Sequence, residues 1–177
     1  GITEIINNKL FERVHASLVP KDNYIANING AMNAVILKGA PVGESVLQGE
    51  GAGPGPTSSA LMSDLLSVLR GNIKYPFGIP NIKLQKISSY NKDHYENSLY
   101  LRLEVKDKPG VLSDLTKVLA RYKISIERLI QIPDKKNKKA TIVIITHKCL
   151  EKNSLSCIKS LNKNISILKN PVLIRLF

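Results

Sequence analysis

The chain has 177 residues, a formal charge of +12, 43% hydrophobic and 5% aromatic residues, and no Trp. That length suits one ordinary domain or two small ones, and the apolar content excludes global disorder while leaving Ile, Leu and Val to build the core. No apolar run reaches membrane-spanning length and no basic-then-apolar leader opens the chain, so a soluble, cytoplasmic protein without a membrane partner is expected. The start at Gly1, without an initiator Met, reads as a processed product or a portion of a longer chain.

Residues 1–6 are strand-like, Asn7-Asn8-Lys9 is turn chemistry, and residues 10–19 return with β-branched and apolar side chains, which predicts a hairpin. Pro20-Lys21-Asp22-Asn23 then breaks the chain. Residues 34–38 and 44–48 form a second strand pair around Gly39-Ala40-Pro41-Val42-Gly43. After a glycine-rich run over 49–56, residues 57–70 read as a helix with Thr57 as N-cap, an apolar stripe of Leu61, Leu65, Val68 and Leu69, and Gly71 as its end. Residues 71–97 change texture, punctuated by Pro76, Gly78 and Pro80 and polar from 88 to 97, which marks an ordered connector.

From residue 98 the pattern is regular. Leu99, Leu101, Leu103 and Val105 alternate with Tyr100, Arg102 and Glu104, a half-buried strand, and Asp107-Lys108-Pro109-Gly110 is a turn. Val111, Leu115, Val118 and Tyr122, joined by Leu112 and Leu119, mark one face of a helix. Residues 124–132 form a second strand with Ile124, Ile126 and Ile130 expected on one side. The cationic knot Asp134-Lys135-Lys136-Asn137-Lys138-Lys139 falls between two strands, where a charged hairpin tip needs no partner. The other lysines are scattered, without interleaved aromatics or a reader motif, so a solvated surface is expected and no nucleic-acid partner. Residues 140–146 are a third strand; Leu150, Ser154, Cys157 or Ile158, and Leu161 give a second helix; residues 165–177 supply a last strand bent at Asn170-Pro171. Cys149 and Cys157 have neither CxxC spacing nor a histidine at ligand distance in sequence, so they read as buried thiols, with no metal site expected.

The order strand, helix, strand, strand, helix, strand is a ferredoxin-like βαββαβ arrangement, and the fold class is α+β. Such a sheet buries both helix stripes on one face and leaves the other open, which invites pairing with a second copy. Fold alone is silent on function. Asp107-Lys108-Pro109-Gly110-Val111-Leu112, with Tyr100-Leu101-Arg102-Leu103 before it and Ile124-Ser125-Ile126-Glu127 after it, closely resembles the opening of an ACT domain, and the resemblance runs from Leu99 to Phe177. Gly110 permits close approach of strand and helix, exposed N–H groups at the helix start attract a carboxylate, and Asp107 can orient the turn or accept from an ammonium group. In the ACT family the effector commonly lies where this loop faces the second strand of a neighbouring copy. The resemblance therefore implies Asp107, Gly110, Val111, Leu112, Ile126, Glu127 and Gln131 as effector-binding residues. Gln131 matches the glutamine that follows I-S-I-E-x-x-I in ACT domains of homoserine dehydrogenases, where it can hold threonine. The plainer readings stay open: Asp107 as a helix cap, Gly110 as a turn residue, Gln131 as an ordinary exposed strand residue.

The first part carries a separate resemblance. Arg13-Val14-His15-Ala16-Ser17-Leu18-Val19-Pro20 resembles the R-V-H-P-x-L-V-P strand of homoserine dehydrogenases, with Ala16 in place of the usual proline. Asn29-Gly30-Ala31-Met32-Asn33-Ala34-Val35 is similar to their N-G-x-x-N-A-V stretch. Val42-Gly43-Glu44, Gly49 and Gly51-Ala52-Gly53-x-x-Pro56-Thr57 match V-G-E…G-x-G-A-G-x-x-P-T, all in the family's order. Taken bare, the glycine run is a loop and not a Rossmann fingerprint, since no βαβ unit or ribose-binding acid surrounds it. The resemblance implies that Gly51, Ala52 and Gly53 lie beside the nicotinamide of NAD(P) in the intact enzyme, that the following helix packs on the nucleotide domain, and that His15 packs a strand and is not a base.

Family members carry the nucleotide-binding domain and the catalytic lysine upstream of the point with which Gly1 aligns. The expectation is thus a chain with no catalytic residues, cofactor or metal of its own, inactive alone. Residues 1–80 read as the end of a catalytic and dimerisation domain with sheet and closing helix, 81–97 as a connector and 98–177 as the ACT domain. The implied whole is an NAD(P)-dependent homoserine dehydrogenase under threonine feedback, a homodimer or higher homo-oligomer. The rivals are a stand-alone ACT binding and dimerisation module, an ACT domain for another amino acid, and a basic nucleic-acid-binding protein.

Overall fold

The computed structural model describes every residue except Ile73, Pro76, Phe77 and Lys135. The expected punctuation at Pro76 and the Lys135 member of the cationic knot lie outside the described residues. The chain opens with β1 (Ile2–Ile6) paired antiparallel to β2 (Lys9–Arg13) across Asn7 and Asn8, whose φ angles of 49° and 58° are the left-handed pair that a tight hairpin turn requires. The return strand is interrupted, unlike the continuous 10–19 expected. At residues 14–16 the His15 ring meets the Ala16 carbonyl at 2.9 Å and the Ser17 hydroxyl at 3.1 Å, a local bonding pattern that competes with the ladder. Pairing resumes only at β3 (Ser17–Leu18).

Next come β4 (Met32–Gly39) and β5 (Gly43–Glu50), an antiparallel pair longer at both ends than the sequence pattern indicates. Helix α1 (Pro54–Leu69) begins before Thr57. Pro54 and Pro56 lack N–H groups, so the first turn needs no side-chain cap; Gly53, at φ 122°, is the N-cap residue, and the Thr57 hydroxyl donates back to its carbonyl at 2.7 Å. Gly71, at φ 71°, ends the helix as expected. The connector holds short 3-10 turns at Asn81–Lys83 and Lys92–His94 and the strands β6 (Ser88–Ser89) and β7 (Glu96–Asn97).

The regular part follows as β8 (Leu99–Lys106), α2 (Val111–Arg121), β9 (Ile126–Asp134), β10 (Lys139–Thr146), β11 (Cys149–Leu150), α3 (Glu151–Leu161) and β12 (Val172–Leu176). The sheet order is β3-β12-β8-β10-β9, a ferredoxin-like four-stranded sheet with β3 added in parallel beside β12. Leu99, Leu101, Leu103 and Val105 of β8 and Ala140, Ile142 and Ile144 of β10 are buried against Val111, Leu115 and Leu119 of α2 and Cys157 and Leu161 of α3. One expectation fails inside this body: Ile130 does not share a face with Ile124 and Ile126. The β9–β10 register shifts at Ile145/Thr146, so that Thr146 pairs with Ile126 and Ile145 with Arg128. This bulge reverses the alternation, turning Leu129 and Gln131 toward the helices and leaving Ile130 and Ile132 exposed on the open face.

Packing groups the residues into two compact units, Gly1–Leu18 with Ile87–Phe177, and Val19–Lys86. This grouping differs from the ranges 1–80, 81–97 and 98–177 drawn from sequence, because β2 pairs with β6 and β3 with β12. Among the described residues of Val19–Lys86 none is fully buried, and the α1 stripe Leu61, Leu65, Val68 and Leu69 is exposed throughout.

Candidate effector-binding site

β8 delivers the chain to the turn at Asp107, whose N–H donates to the Lys138 carbonyl at 3.0 Å and so ties the turn to the β9–β10 connection. Gly110 then reverses the chain at φ 90° and serves as the N-cap residue of α2. The space where its Cβ would stand is open, so glycine is required by the left-handed backbone and not by the close strand–helix approach expected from sequence. No side chain caps α2, and its first helical bond runs from the Asp114 N–H to the Gly110 carbonyl. The N–H groups of Val111, Leu112 and Ser113 therefore remain as donors at the positive end of the helix dipole.

Val111 and Leu112, two of these donors, border a cleft of about 430 Å³. Val105, Val111 and Ile142 give it an apolar wall; Leu112 and Pro109 close one side; Lys106, Asp107, Lys108, Gly110 and Gln131 complete it. The bulge in β9 is what brings Gln131 here, paired with Ile142 on the helix side of the sheet. Its Nε2 donates to Asp107 Oδ1 at 3.5 Å, a bond at the long limit that a better acceptor can displace. Of the residues proposed from sequence, Asp107, Gly110, Val111, Leu112 and Gln131 converge on this cleft. Ile126 and Glu127 do not line it; they lie at the start of β9, where Ile126 pairs with Thr146 and Glu127 is the unpaired residue of the bulge.

The glycine run sits elsewhere, after β5. The Gly51 N–H donates to the Ala31 carbonyl at 2.9 Å, and a Cβ on Gly51 would overlap the Asn33 side-chain amide. Asn33 thus fills the space that a side chain at 51 would claim. A shallow pocket of about 250 Å³ runs along the β4–β5 pair, lined by Asn33, Val35, Leu47, Gln48 and Gly51 among others; Ala52 and Gly53 are not part of it.

A buried carboxylate escaped the sequence reading. Glu151 is 2% exposed at the start of α3 and accepts from Arg13 Nη1 at 3.0 Å and Nη2 at 2.7 Å, from Asn97 Nδ2 at 3.1 Å, and from Arg175 Nε at 3.1 Å and Nη2. Burial pushes this carboxyl up, but the hydrogen bonds and charges of Arg175 and Arg13 prevail and hold it at about 2. An acid in a first helical turn ordinarily reads as a dipole-favoured surface residue, and partners far away in sequence gave no signal. Cys149 and Cys157 are free and buried, and burial pushes the Cys157 thiol up to about 12. Among the described residues no His, Cys, Asp and Glu cluster could hold a metal ion, and no helix is long and apolar enough to cross a membrane.

Comparison with known proteins agrees with this layout. Residues 3–66 match the family model of homoserine dehydrogenase, and residues 99–165 match that of the ACT domain. The homoserine dehydrogenase of Neisseria gonorrhoeae is 33% identical over 99% of this chain and 42% of its own length; that of Helicobacter pylori is 34% identical over 93% and 38%. A crystal structure of a homoserine dehydrogenase from Thiobacillus denitrificans superposes with a TM-score of 0.83 at 34% identity, covering 99% of this chain and 41% of that one. The chain spans about two-fifths of the length of the curated relatives it matches.

Proposed function

We propose that this chain, which belongs to the homoserine dehydrogenase family and carries an ACT domain, is the regulatory region of an enzyme interconverting aspartate semialdehyde and homoserine with NAD(P), and that its ACT domain binds threonine for feedback inhibition. The observation that supports the effector reading is the convergence of Asp107, Gln131 and the uncapped α2 donors on one cleft with an apolar wall. An amino acid placed there sets its carboxylate on the Val111 and Leu112 N–H groups and its ammonium on Asp107. Gln131, released from its long bond to Asp107, is then free to pair with a side-chain hydroxyl, and Val105 and Ile142 take up the methyl group. A cleft of this size suits a small amino acid, and threonine meets its polar and apolar parts together.

Inhibition then follows if threonine binds one arrangement of paired subunits better than another, a coupling of roughly 1–3 kcal/mol in typical cases. The open sheet face, with Ile130 and Ile132 each 57% exposed, suits a homodimer contact. In the intact enzyme Gly51, Ala52 and Gly53 would present side-chain-poor backbone beside the nicotinamide of NAD(P), which would give up a hydride in its reduced form or take one in its oxidised form. The 177 residues alone are assigned no catalytic group. Calorimetric titration with threonine, lysine, methionine and isoleucine tests the effector: heat with threonine supports the reading, and no heat with threonine overturns it. NADP-dependent oxidation of homoserine by the purified chain is expected to be undetectable, and measurable turnover would refute a purely regulatory role for these residues.

A further inference from the structure

We infer that Gly1–Leu18 is a latch that undocks as one piece from the body formed by Ile87–Phe177 while that body stays folded, with Arg13 on Glu151 as its catch. The inference goes beyond the effector reading and does not depend on it. The docking surface is small. Phe11, 1% exposed, stacks on Tyr95 with ring centroids 3.8 Å apart and meets Tyr90 edge-on at 6.3 Å; the Tyr95 hydroxyl donates to Glu4 Oε1 at 2.7 Å, and β2 and β3 each contribute only a two-residue pairing, to β6 and β12. Of its other large apolar side chains, Ile5, Val14 and Leu18 are exposed and Ile2, Ile6 and Leu10 are only partly buried. One buried ring between two tyrosines, one hydrogen bond, one ion pair and two short pairings are the signature of a local unit that opens below the free energy of the whole.

The arrangement around Glu151 explains how opening leaves the body intact. A buried carboxylate that loses its only cation is strongly destabilising. Here Arg175 and Asn97 belong to the body itself and keep their bonds to Glu151 when Arg13 departs. The second guanidinium therefore makes the first one removable. Residues 3–66 match homoserine dehydrogenase and 99–165 the ACT domain, so the latch is a point at which the first matched segment holds the second.

Hydrogen exchange read by mass spectrometry on the full 177-residue chain, in a series of low urea concentrations, tests this. The β1 and β2 amides should exchange together, about tenfold or more faster than those of β8 and β10, through an opening with weaker urea dependence. Arg13→Gln should speed exchange within Gly1–Leu18 by about a further tenfold and leave β8 and β10 at wild-type rates. The inference is overturned if β1 and β2 open in the wild type with the rate and urea dependence of β8 and β10. It is equally overturned if Arg13→Gln accelerates β8 and β10 by the same factor or leaves the segment's exchange unmoved. Should the variant fail to fold, the wild-type urea series decides alone.

Discussion

Replacing Glu151 with Gln keeps the side chain's shape and removes the charge that Arg13 and Arg175 share. The wild-type carboxyl falls from an ordinary 4.5 to about 2, a difference worth about 3 kcal/mol of stability at neutral pH. Because the folded value is the lower one, this contribution is complete above about pH 4.5 and is lost as pH falls through about 2; near pH 3 roughly 1 kcal/mol remains. The variant loses that contribution and leaves two guanidinia, only 14% and 15% exposed, facing a neutral amide. Urea unfolding followed by far-ultraviolet circular dichroism should show the variant about 3 kcal/mol less stable at pH 7, with the gap narrowing toward pH 3. Equal midpoints at pH 7, or a gap that does not change between pH 7 and pH 3, would refute the reasoning.

Gln131→Ala should weaken threonine binding about tenfold, the loss of one hydrogen bond to a buried hydroxyl, whereas Glu127→Ala, at the bulge and outside the cleft, should leave it unchanged; calorimetry reads both. Gly110→Ala forces a Cβ onto a φ of 90° and should cost roughly 1–2 kcal/mol in thermal or urea unfolding, with the threonine site displaced alongside. Cys149 and Cys157 should resist a thiol reagent at pH 8 in the native chain and react in urea. Since burial raises the Cys157 thiol from 9.0 to about 12, the stability that depends on keeping it neutral is present below pH 9 and is lost as pH rises from there toward 12.

The ACT-like body was legible because its strands and helices repeat simple periods: Leu99, Leu101, Leu103 and Val105 all went to the core as the alternation required. Asp107, Gly110 and Gln131 were legible as a group only through their resemblance to a family, since spacing alone does not bring residue 131 to residue 107. What was illegible depended on a single inserted residue or on distant partners. The bulge at Ile145/Thr146 reverses one strand's faces and moved Ile130 to the open side while seating Gln131 in the cleft. The Glu151 cluster joins residues 13, 97, 151 and 175, and no local pattern announces a carboxylate whose cations arrive from both ends of the chain. At α1 the error was local: two first-turn prolines removed the need for the cap that Thr57 was expected to provide.

The two compact units also differ in what they can hold together by themselves. Gly1–Leu18 with Ile87–Phe177 owns a continuous core from Leu99 to Leu161, so its ACT-like fold follows from its own side chains. Val19–Lys86 has a two-stranded ladder and an amphipathic helix, yet Val35, Leu37, Leu47, Leu61, Leu65, Val68 and Leu69 all face outward. An isolated hairpin is marginal in water, and an apolar stripe gains its stability only when something covers it. Such a cover is what Leu61, Leu65, Val68 and Leu69 lack among the described residues. The same physics separates the two parts: the side chains from Leu99 to Leu161 cover one another, whereas the apolar side chains of Val19–Lys86 need a cover.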